Sequence, residues 1–152
     1  MGFFDKIVAA SSAATSKPTI DSEQEAFITI IAAAASSDGI MDAQEWDTIV
    51  DTLIQKKMFA NSDLRALVRE CISNLQNFES LAEAVDDCAP LIKPENRNMV
   101  FSVAVDIVLI DGSISPKEQE IVEHLKDQLT IPDDFAMKTV EVMLARNYGN
   151  KI

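Results

Sequence analysis

Apolar residues recur along the chain at intervals of three and four, the spacing that lines up one face of a helix, and no stretch reads convincingly as a strand. The pattern predicts about seven helices. The first, DSEQEAFITIIAAAASS, opens with Asp21 as N-cap and Gln24 three residues on as its capping-box partner, and is rich enough in alanine for another helix to approach closely. Residues 42–57 place Trp46, Ile49, Val50, Leu53 and Ile54 on one face and acids on the other. Asn61 or Ser62 caps a third helix running to about Gln76, and Phe78–Ile92 carries a fourth that Pro90 shortens or kinks. Pro94, Pro116 and Pro132 stand at helix starts, and the last helix, with Asp133 and Asp134 in its first turn, ends near Asn147. Between Pro94 and Pro116, VFSVAVDIVLI is apolar around nearly its whole circumference, as a buried central helix should be. Asp106 is the acid inside it; with Asn98 and Ser102 at i, i+4 spacing it reads as a solvated stripe, the alternative being a buried ligand.

The pattern is doubled. SDGIMDAQE at Ser37–Glu45 returns as IDGSISPKE at Ile110–Glu118, an offset of 111 − 38 = 73 residues that sets Glu45 on Glu118 and Asp42 on Ser115. Two copies with so long a period imply two halves packed about a pseudo-twofold axis. In each copy Gly39 or Gly112 closes a helix, Asp42 or Ser115 caps the next, and Glu45 or Glu118 completes a capping box. Asp38 and Asp111 fit no such role, because an acid at the negative end of a helix dipole costs about 0.3 to 1 kcal/mol. A local rule broken at the same place in both copies marks a functional position. The fold class is therefore all-α, a single-domain bundle of about seven helices in two pseudo-symmetric halves over residues 21–152. Residues 1–20 form an N-terminal segment and flexible connector. In that segment Phe3, Phe4, Ile7 and Val8 share a helical face that suits the domain's own core or, alternatively, a partner or membrane surface.

Composition narrows the function. A net charge of −12 and a pI near 4.3 argue against nucleic acid and anionic lipid as direct ligands and favour cations or a basic partner. No run reaches the roughly 20 apolar residues of a membrane span, and MGFFDKIV lacks the basic lead-in and apolar length of a signal peptide. Cys71 and Cys88 lie among apolar residues without ligand spacing and read as buried free thiols in a reducing, cytoplasmic setting. Catalysis has little to work with. The lone histidine, His124, makes E-x-x-x-H with Glu120 where a diiron bundle needs E-x-x-H, and reads as solvated; no phosphate-binding glycine loop is present.

DGSISPKE has the glycine, apolar residue and glutamate of the second half of an EF-hand loop, but the early ligand positions fall on Ile107 and Leu109, and in the first copy on Ala34 and Ser36. Neither copy alone supplies the six to eight oxygens of a calcium site; face to face, the two offer Asp38, Glu45, Asp111 and Glu118 together, with Asp42 nearby. This reading requires the two DG turns to lie close in space.

The doubled SDG-x-x-x-x-x-E and DG-x-x-x-x-x-E in alanine-rich hairpins, with the opening FFDK, is similar to the tellurite-resistance TerB-like domain family. The resemblance spans Phe3–Asp5 and Asp21 to about Leu129. It implies two pseudo-symmetric helical halves, a divalent cation (calcium, zinc or manganese) on Asp38, Glu45, Asp111 and Glu118, and a non-catalytic stress-resistance role through protein partners. Those partners would form a membrane-associated complex, the chain being cytoplasmic and peripheral to the inner membrane, with homo-oligomers open. Ser115 stands where the family often has an acid, and Ile110 where it has a small polar residue. The alternative reading is a metal-free acidic protein-interaction module.

Overall fold

The computed structural model describes residues 18–37, 39 and 43–150. Phe3, Phe4, Ile7 and Val8, the connector as far as residue 17, and Asp38 and Asp42 lie outside them. Seven α-helices and no strand are found among the described residues: α1 Glu23–Ala35, α2 Ala43–Leu53, α3 Leu64–Leu75, α4 Leu81–Cys88, α5 Arg97–Val108, α6 Pro116–Gln128 and α7 Asp133–Arg146. The repeat is visible in their ends. Adding 73 to the last residue of α1 gives 108, where α5 ends, and adding 73 to the first residue of α2 gives 116, where α6 begins. Helix α7 overlaps the shifted position of α3, and α4 has no counterpart among the described residues.

Helix α1 is the axle. Every residue from Ala26 to Ala34 is buried, and the helix packs against α3, α4 and α5. Ala32, Ala33 and Ala34 present no side chain beyond Cβ, which lets neighbouring helices approach closely. Phe27 meets Phe59 in a tilted ring pair with centroids 5.9 Å apart. Helix α5 is the second central element, with Val100, Phe101 and Val103–Val105 buried as its all-round apolar sequence predicts.

Several helix starts differ from the expectations above. Ser22, not Asp21, caps α1 by accepting from the Glu25 amide at 3.1 Å, and Gln24 instead donates to the Met58 carbonyl at 2.6 Å. That register leaves Glu23 in the first turn, where its Oε2 accepts from the Lys93 amide at 2.7 Å and from Asn96 Nδ2 at 3.0 Å. Asp63 rather than Asn61 or Ser62 caps α3. Ser80 caps α4, later than the expected Phe78, and Pro90 ends it in the 3-10 turn Ala89–Leu91. Pro94 opens a further 3-10 turn, Pro94–Asn96, with α5 following. Helix α2 stops at Leu53, which leaves Ile54 off the apolar face and exposed.

Glu23 and Asn96 are 73 residues apart, so the repeat maps one onto the other, and they are hydrogen-bonded. Residues related by a twofold can touch only beside its axis. A pseudo-twofold relating the halves would therefore run between α1 and α5, which pack on each other.

Candidate functional site

Three of the four acids singled out by sequence line one cavity. Glu45 in the first turn of α2, Asp111 in the turn after α5, and Glu118 in the first turn of α6 open onto a cavity of about 260 Å³, floored by Ala35, Ile107, Val108 and Ile110. Glu45 and Glu118 are repeat equivalents, so their shared cavity is a second point where the halves meet. The fourth acid, Asp38, lies outside the described residues.

Local chemistry fixes the second half of the site. Ser115 and Glu118 form the expected capping box: the Glu118 amide donates to Ser115 Oγ at 3.2 Å, and Glu118 Oε1 accepts from the Ser115 amide at 2.9 Å. Asp111 Oδ1 accepts from the amide of Ser113 at 3.1 Å and its hydroxyl at 3.2 Å, an Asx-type turn that holds the carboxylate at the cavity. Gly112 adopts φ +83°, and a Cβ there would lie 2.7 Å from the Asn147 carbonyl oxygen, so glycine is needed for both conformation and space.

Sequence reasoning missed what anchors this turn. Asn147, 4% exposed at the end of α7, donates through Nδ2 to Asp106 Oδ1 at 3.2 Å, while Asn150 donates to the Ile110 carbonyl at 2.8 Å and to Asn147 Oδ1 at 3.1 Å. Asp106 is thus not a free solvated acid. It is half-buried and ties α5 to the C-terminus of α7. The asparagines of RNYGN, beyond the last apolar position, were the available signal, since asparagine and glycine close helices.

The donor set is all carboxylate oxygen, which suits a hard cation and not zinc in a structural site, whose ligands are sulfur and imidazole. No three His, Cys, Asp or Glu side chains among the described residues come close enough to enclose an ion. The three acids therefore share a cavity without forming a closed cage.

The other candidate groups are engaged elsewhere. His124 is not simply solvated: its Nε2 lies 2.7 Å from Asp86 Oδ1, which joins α6 to α4 beside a cleft that also takes in Ser37, Lys117 and Glu120. Cys71 and Cys88 are buried free thiols, as expected. Burial pushes them up to about 11 and about 12, against a weaker opposing effect from the Thr29 hydroxyl beside both, so each stays protonated at neutral pH. No described helix is long and apolar enough to cross a membrane.

A family model described as tellurite resistance protein TerB matches residues 24–138. No curated protein and no solved structure gives a significant match.

Proposed function

Because the chain belongs to the TerB family of tellurite resistance proteins, we propose that it is a non-catalytic domain that holds a divalent cation between its two halves and acts by docking onto protein partners. The observation that carries this reading is the convergence of Glu45, Asp111 and Glu118 on one cavity, two of them repeat equivalents. Glu45, Asp111 and Glu118 would hold the ion, with Asp38 as the fourth acid named by the repeat. The cation would supply positive charge at a junction where the chain otherwise gathers acids. Because the cage is open, water would complete the coordination, and calcium or manganese suits such a site better than zinc. A non-catalytic role is supported by the protonated state of both buried thiols, which makes them poor nucleophiles.

One observation favours the second reading, a metal-free acidic interaction module: the described acids do not approach one another closely enough to enclose an ion. Calorimetric titration of the full chain with calcium, zinc and manganese separates the two. Heat with calcium or manganese, weakened in Asp111→Asn, is the expected result. No heat with any of the three leaves the interaction module standing.

A further inference from the structure

Helix α7 is poorly covered for its length. Of its 14 residues only Ala136 and Thr139 are buried, while Phe135, Val140, Met143 and Leu144 are half-exposed and Met137 is 63% exposed. Between α6 and α7 lies an open cleft of about 450 Å³ with the buried Phe101 and Val122 beneath it and exposed apolar surface from Met137 and Val140. A cleft between two helices with an apolar floor is the shape that accepts the apolar stripe of a third helix. Its rim carries Glu123, Asp133, Glu141 and Lys126. The Lys126 ammonium is held by Asp133 and Asp127, and Glu123 and Glu141 have no cationic partner among the described residues. The rim is therefore net negative on a chain that carries −12 overall.

We propose that the α6–α7 cleft is a docking groove for an amphipathic helix of a partner protein, with apolar residues on one face and lysine or arginine flanking them. Charge decides among occupants. A second copy of this chain docked through the same face would set Glu123 and Glu141 against like charges, and an acidic segment would meet the same repulsion. A basic flank reaches two carboxylates that have no cationic partner among the described residues, while its leucine-type face covers Met137 and Val140. The groove uses no residue of the carboxylate cavity. The proposal gives the partner-docking part of the function above a surface and does not depend on the cation.

The test is binding of a fluorescent 18-residue peptide, with leucines at i, i+3, i+4 and i+7 and lysines elsewhere, to the full chain in EDTA, so that failure at the cavity is not mistaken for failure here. A matching peptide with glutamate for lysine is the control. The lysine peptide should bind at least about tenfold tighter than the glutamate peptide, and backbone-amide shifts should cluster on α6 and α7. Met137→Gln, neutral and at an exposed position, should weaken binding about tenfold, the worth of one buried methionine, and Glu123→Gln with Glu141→Gln should weaken it further and flatten its salt dependence. Equal affinity of the two peptides, shifts centred elsewhere, or an unchanged affinity in Met137→Gln would each overturn the groove. A tenfold gain on Phe3→Ser with Phe4→Ser would mean that the chain's own N-terminal segment occupies it, and a dimer in sedimentation that Met137→Gln dissolves would mean a second copy does; either also overturns the proposal.

Discussion

At the scale of single residues, Gly112 does more than its repeat partner. Both Gly39 and Gly112 take positive φ, which an L side chain resists, but a Cβ at Gly39 meets nothing within 4 Å while one at Gly112 runs into the Asn147 carbonyl. Gly112→Ala should therefore cost about 2 to 4 kcal/mol and Gly39→Ala about 1 kcal/mol, read from urea unfolding. Equal costs would mean that the turn can shift away from α7. The thiols make a second residue-scale prediction. Burial raises both above their ordinary value of 9.0, so above that pH the unfolded chain releases protons that the folded chain keeps, and stability falls. The contribution is intact below pH 9.0 and is lost as pH rises toward about 11 and about 12. The urea midpoint should drop between pH 8.5 and 10.5, two settings chosen at about half a unit below the ordinary thiol value and about half a unit below the lower raised one, and drop less in Cys88→Ala. An identical drop in the variant would assign the loss to other groups.

At the scale of elements, sequence was a good guide where a helix is fixed by its own residues and a poor one where another element decides. The start of α6 was legible because Ser115, Pro116 and Glu118 satisfy one another within four residues. The start of α1 was not. Asp21 and Gln24 have capping-box spacing, yet the register one residue later lets Glu23 bond Lys93 and Asn96, some 70 residues away and invisible to any local rule. Likewise α2 ends before Ile54, although periodicity alone would carry the apolar face that far. The two readings of α1 predict different variants. Asp21→Ala should be within about 0.5 kcal/mol of wild type, and Glu23→Ala should cost about 1 to 2 kcal/mol through two lost charge-assisted hydrogen bonds. The reverse order in chemical denaturation would restore Asp21 as the cap.

At the scale of the whole molecule, the sequence repeat carried most of the site, because a duplication predicts not only two similar halves but an axis on which equivalent residues meet. Glu23 and Asn96 are hydrogen-bonded, and Glu45 and Glu118 line one cavity. What the repeat could not supply was distance. It named the acids that face one cavity without saying whether they close around an ion, which depends on how far apart α1 and α5 hold the two turns. The axis nevertheless gives the cation reading a sharp form. If one ion sits between the halves, Glu45→Gln and Glu118→Gln remove donors from the same site, so the double variant should lose little more of the cation-induced rise in Tm than the worse single variant. Two separate half-sites would instead lose their contributions additively. Since a chain of net charge −12 gains stability from any added cation through screening, the comparison belongs in about 0.15 M sodium chloride, where exposed charges are screened within about 8 Å and a millimolar divalent salt adds little to that effect. Glutamine at residue 118 can still accept from the Ser115 amide, so the capping box survives and the loss reports on charge. Subadditive losses from the paired glutamates would place one cation on the pseudo-twofold; a wild-type Tm unmoved by calcium and manganese under these conditions would remove the cation from the function and leave the acidic surface to its partners.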